Sequence, residues 1–112
     1  MGKYQEAMNA AVDCVKTGQV CIAHCTHLLA KGDKSMKDCF LAAQNMVALS
    51  EAMVKVSSLG SHKKLIKKTA KACITACKAC MKECKDHMDK HTDCKDCYDS
   101  CKACVAACEK LV

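Results

Sequence analysis

The chain has 112 residues and a formal charge of +6, all of its basic residues being lysine, and it lacks Pro and Trp. Leu, Ile, Val and Phe number only 19, below the roughly 20% under which a highly charged chain is suspected of disorder, so a packed core requires Cys, Met and Ala to fill it. No apolar run approaches the roughly 18 residues of a membrane span, and a chain with no Arg and few aromatics is poorly equipped to read or stack on bases; neither a nucleic acid nor a membrane is expected as a partner.

With glycine only at positions 2, 18, 32 and 60, few breakers interrupt the chain, and it reads as nearly all helix. Four segments are predicted, about residues 4–31, 34–58, 61–90 and 93–111. Gly32 followed by Asp33, Lys34 and Ser35 marks the first break. Ser57-Ser58-Leu59-Gly60-Ser61 marks the second, with Ser61 expected to cap the third segment. Thr92-Asp93 marks the third, with Thr92 as the expected N-cap. The connections are short and favour antiparallel neighbours, so residues 1–112 are expected to form one all-α domain, an antiparallel up-down-up-down four-helix bundle with a Cys-lined core.

Thirteen residues are cysteine, and they fall on the inward face of each segment. Segment one places Cys14, Gly18, Cys21 and Cys25 in steps of four, three and four residues, the beat that returns side chains to one face of a helix. Gly18 stands where another cysteine would fall and costs about 1 kcal/mol of helix propensity against Ala, which implies a packing reason for it. Segment two carries Cys39, Ala43, Met46 and Met53. Segment three runs through Ile66, Cys73, Cys77, Cys80 and Cys84, with His87 and His91 continuing the stripe. Segment four carries Cys94, Cys97, Cys101, Cys104 and Cys108. Lys64, Lys68, Lys71, Lys78, Lys82 and Lys85 lie opposite the cysteines of segment three at helical spacing, and the densest basic cluster is Lys63, Lys64, Lys67, Lys68 and Lys71. Such a cluster suits phosphate backbones or anionic lipid, but the simpler reading is a solvated helix face. Antiparallel packing gathers His24, His27, Met36, Cys39, Cys84, His87, Met88, His91 and Cys94 at one end of the bundle. Met8, Cys14, Met53, Cys73 and Cys108 lie toward the other.

Five explanations compete for the stripes. Packing alone does not need thiols, since Leu or Ala would fill the space without the risk of oxidation. Disulfides leave one thiol over, and i,i+4 pairs within a helix match the required torsion poorly. Zinc needs closed sites of four ligands, and divalent filling of thirteen thiolates leaves buried charge unbalanced. Iron–sulfur clusters usually sit in compact Cys motifs with Gly or Pro, which are missing. Monovalent copper prefers soft sulfur and accepts two or three ligands. One Cu(I) per thiolate is electrically neutral, because each ion displaces one proton. That favours Cu(I) in multiple copies, about one per cysteine. A zinc buffer, or a thiol oxidoreductase using Cys94 and Cys97 at a helix N-terminus, is the alternative.

The Cys73–Cys84 pattern, the Lys90-His91-Thr92-Asp93-Cys94-Lys95-Asp96-Cys97 junction, the Cys97–Cys108 run, Cys21-Ile22-Ala23-His24-Cys25 and the Gly32-Asp33-Lys34 turn together resemble the bacterial copper storage proteins, the Csp family. The resemblance spans essentially the whole chain. It implies a four-helix bundle filled with Cu(I), a homotetramer, and metal ligation by the thirteen cysteines. It also implies that His24 and Met36 complete sites at the bundle mouth. The family has exported members, which supply copper for methane oxidation, and cytosolic members richer in cysteine. The single Cys39 and the methionines of segment two place this chain nearer the exported type, as a periplasmic form with its leader removed; the alternative is cytoplasmic. No signal peptide is read at Met1. A copper-accepting protein or chelator is the expected partner. His87 and His91 are weaker candidates as ligands, Met46 and Met53 read as core, and His27 and His62 read as surface.

Overall fold

The computed structural model describes residues 2–112 and consists of α1 (Lys3–Ala30), a 3₁₀ turn (Lys34–Met36), α2 (Lys37–Leu59), α3 (Lys63–Lys85) and α4 (Thr92–Glu109). The α1 terminus is a Schellman arrangement. Gly32 takes φ +93°, its N–H donates to the Leu29 carbonyl, and the Asp33 N–H donates to that of Leu28. Asp33 then caps the 3₁₀ turn, its Oδ1 accepting from the Ser35 N–H at 3.1 Å. The second segment therefore opens with one tight turn before its α-helix. Gly60 ends α2 in the left-handed region at φ +63°.

Three boundaries differ from the sequence reading. His62, not Ser61, caps α3, its Nδ1 accepting from the Leu65 N–H at 3.1 Å. His91, not Thr92, occupies the N-cap position of α4. Helix α3 stops at Lys85, five residues early. The N–H groups of His87 and Met88 both donate to the Cys84 carbonyl, which folds residues 86–90 into turns and takes His87 and His91 off the helical stripe.

Each helix packs against the next in the chain, and α4 closes back on α1; among the described residues the diagonal pairs make no backbone contact. That square cross-section produces a rod of 46 × 20 × 18 Å with one continuous core. Gly18 has the packing role its position implied. A Cβ there would lie 2.5 Å from Val47 Cγ2 and 2.8 Å from Met46 Cε, so the glycine lets α1 and α2 approach closely. Ala7, Ala11, Met53, Ile66 and Ala70, all fully buried, fill the end near the α2–α3 turn. The thiols occupy the remaining length of the core.

Candidate metal centre

All thirteen cysteines are fully buried and carry free thiols. Their sulfurs approach across helices as well as along them. Cys80 and Cys97 lie 3.7 Å apart, Cys21 and Cys39 3.9 Å, Cys39 and Cys84 3.9 Å, and Cys73 and Cys104 3.9 Å. Along α3 and α4, Cys73–Cys77 is 4.0 Å, Cys80–Cys84 3.9 Å and Cys104–Cys108 3.9 Å. These spacings are far longer than the roughly 2.05 Å of a disulfide. They suit ions between the sulfurs: the centre of a triangle with 3.9 Å edges is about 2.3 Å from each corner, a usual metal–thiolate length.

Among the described residues, five triads of sulfur atoms are close enough to hold an ion, and they form a chain. Cys73–Cys77–Cys104 shares Cys77 with Cys14–Cys77–Cys101. That triad shares Cys101 with Cys80–Cys97–Cys101, which shares Cys97 with Cys21–Cys84–Cys97. The last link is Cys21, shared with Cys21–Cys39–Cys94. Each triad thus touches the next through one sulfur. Cys108 extends the chain at one end through Cys104, and Cys25 extends it at the other through its hydrogen bonds with Cys21 and Cys39. No fourth His, Cys, Asp or Glu joins any of the triads among the described residues. That number matters, because a structural zinc site closes with four ligands.

Burial opposes ionisation of the thiols, and hydrogen bonds among them distribute the protons. The Cys108 thiol is pushed up to about 12: its hydrogen bond with Cys104 lowers it, and contact with Cys73 and burial more than offset this. Cys25 and Cys94 are also pushed up to about 12, the hydrogen bond with Cys21 lowering each, and Cys39 and burial outweighing it. Inside the chain, Cys21 and Cys101 are raised first by hydrogen bonds with Cys25 and Cys14. Cys39 and Cys97 are lowered, led by Cys21 and Cys101 respectively. Neighbouring thiols share protons in this way because adjacent thiolates cannot all ionise in a dry core. An incoming cation removes that conflict by displacing the proton.

The polar mouth is built by the α1 and α4 ends and the 86–91 turn. His24 Nε2 lies 2.9 Å from His91 Nδ1, and His24 Nδ1 lies 3.7 Å from Asp93 Oδ2, with the histidine side chain 26% exposed. The His87 and His91 rings stand 6.4 Å apart. The His24 ring is thus engaged with His91 and Asp93, and no histidine joins a thiol triad among the described residues. Met36 is fully buried at the start of α2, three residues before Cys39. His27 and His62 are exposed.

Two site features were not read from the sequence. Ser50, fully buried, places its hydroxyl 3.4 Å from Met46 Sδ and 3.9 Å from Cys73 Sγ. Its signal was the α2 beat itself, since positions 39, 43, 46, 50, 53 and 57 follow alternating steps of four and three. The other is the Ser100 carbonyl, which accepts from Cys14 Sγ at 3.2 Å; backbone acceptors leave no such signal.

The family model described as copper storage protein matches residues 1–112. The chain belongs to the copper storage protein family. No curated protein matches it. Among solved structures, the copper storage protein Ccsp from Streptomyces lividans loaded with 10 copper equivalents is 23% identical, with a TM-score of 0.88 over 97% of this chain and 83% of that one. A cytosolic copper storage protein from Streptomyces lividans with five coppers is also 23% identical, with a TM-score of 0.88 over 97% of this chain and 91% of that one. At that identity the likeness establishes the four-helix fold, and the family match gives the fold its storage role.

Proposed function

We propose that the chain is a non-enzymatic store for Cu(I), holding about one ion per cysteine along the bundle axis. The carrying observation is the unbroken chain of vertex-sharing thiol triads along the core of the bundle. Monovalent ions fit both the three-fold sites and the electrical balance, because each ion replaces one proton. The shared sulfurs Cys21, Cys77, Cys97 and Cys101 supply a route. An ion can gain a contact in the next triad before it loses one in the last.

The ligands in this reading are Cys14, Cys21, Cys25, Cys39, Cys73, Cys77, Cys80, Cys84, Cys94, Cys97, Cys101, Cys104 and Cys108, with His24 and Met36 acting at the mouth. His24 would have to leave His91 and Asp93 to reach an ion, which makes it a gate as well as a ligand. Residues 1–112 act as one unit, assembled as a homotetramer that delivers copper to an accepting protein or chelator. We assign the chain to the exported type on the single cysteine and the methionines of its second segment. The solved relative described as cytosolic is 23% identical, and fractionation of cells expressing the chain from its native gene decides between the compartments.

A dithiol oxidoreductase needs an accessible low-pKa thiol. Cys94 and Cys97 are both fully buried, which denies a substrate access to either, and the Cys94 thiol is pushed up to about 12. Competition separates the remaining rival. The reduced chain, offered Cu(I) and Zn(II) together under anaerobic chelator buffering, should retain copper in excess of zinc. Retention of three or four zinc ions (about a quarter of the thiol count) with copper excluded would replace the storage reading with a zinc buffer.

A further inference from the structure

The end of the rod away from the histidine mouth has a surface that storage does not use. Leu59 and Leu65 flank the α2–α3 turn, 85% and 45% exposed. Residues 59–71 hold Lys63, Lys64, Lys67, Lys68 and Lys71 and no acidic residue, and all five lysines are exposed. None of them forms an ion pair among the described residues. Lys63 and Lys64 also stand in the first turn of α3, which has no acidic residue. Positive charge there opposes the helix dipole, so the arrangement costs local stability. The α3–α4 connection at the mouth has the opposite balance, residues 86–96 carrying Asp86, Asp89, Asp93 and Asp96 against Lys90 and Lys95.

We propose that this end docks the rod on an anionic lipid surface, with Leu59 and Leu65 entering the headgroup layer and the five lysines set against lipid phosphates. The sequence alone read the lysines as a solvated face. The structure adds an exposed aliphatic pair at the same turn, and exposed apolar side chains beside a lysine cluster are the signature of interfacial binding. Nucleic acid offers the leucines nothing apolar. A specific acidic protein surface favours the bidentate fork of Arg, which the chain lacks, whereas a diffuse lipid field needs only point charges. A second copy laid patch to patch is opposed by like charge. Docking at this end points the mouth away from the bilayer, so metal exchange stays open to water.

The test is co-sedimentation of the full chain, metal-free and copper-loaded, with vesicles of phosphatidylcholine alone or mixed with phosphatidylglycerol. The chain should pellet with the mixed vesicles, stay in solution with the neutral ones, and be released as salt shortens the Debye length from about 10 Å to about 3 Å. Lys67→Glu with Lys68→Glu should weaken binding by at least about 25-fold, from about fivefold for each charge lost. Leu59→Ser should weaken it by about tenfold. Lys34→Glu, at the mouth end, should leave it unchanged. Lys67, Lys68, Leu59 and Lys34 are all exposed, and circular dichroism confirms that the variants keep their helicity. Equal pelleting with neutral vesicles, no pelleting with either, insensitivity to the Leu59 and lysine changes, or equally tight binding to soluble polyglutamate would each overturn the proposal.

Discussion

Substituting Gly18 by Ala sets two effects of opposite sign against each other. In an open helix interior the change stabilises by about 1 kcal/mol through helix propensity. Here the new methyl would meet Val47 Cγ2 at 2.5 Å and Met46 Cε at 2.8 Å. The methionine end can swing aside, but valine in a helix has one strongly preferred rotamer and cannot. Overpacking of this kind costs about 1–3 kcal/mol, so Gly18→Ala should destabilise the reduced, metal-free chain by about 1 kcal/mol net. Urea unfolding followed by circular dichroism measures it. Val47→Ala removes the clashing methyl, so the double variant should be about 1 kcal/mol more stable than the two single losses add up to. A Gly18→Ala chain more stable than the parent, with no coupling to Val47, would show that the α1–α2 approach is not set by this contact.

Cys101 is shared by two triads and Cys108 by none, so Cys101→Ala should lower copper capacity by about two ions and Cys108→Ala by about one, read by native mass spectrometry of the loaded chains. The thiols of Cys25, Cys94 and Cys108 lie near 12 in the folded chain against an ordinary 9.0. Folding therefore favours their protonated form, and that stability is full below pH 9 and is lost as pH rises toward 12; urea midpoints of the reduced apo chain should fall across that window. His24→Ala and the volume-conserving Met36→Leu should each slow copper uptake or release in stopped-flow chelator exchange while leaving most of the capacity; unchanged kinetics would remove both residues from the mouth.

Periodicity made the four helices legible, and Gly32 and Gly60 marked two of their ends because each adopts a left-handed backbone there. The end of α3 was misread because His87 and His91 continue the apolar beat, and no Gly or Pro marks the turn that begins at Asp86. The caps were displaced by one residue because His62 and His91 took positions for which Ser and Thr are the commoner choice. At the site, the stripes were readable within each helix, but the triads were not, since each joins residues from two or three helices. Cys39 shows the difference. It looked isolated in segment two, yet its sulfur lies 3.9 Å from both Cys21 and Cys84 and ties α1 to α3 across the core. The charge of the α2–α3 end was visible in the lysine cluster, but the exposure of Leu59 depended on where the neighbouring helices stop.

In the proposed store, a bundle already folded holds its ions on axial thiols. Anaerobic titration of the fully reduced chain with Cu(I) against a chromophoric chelator, with circular dichroism recorded at each addition, tests it most directly. Saturation should fall near the thirteen thiols of the chain with helicity constant throughout. Saturation at three or four ions (about one per four thiols), or helicity that grows with each addition, would contradict it.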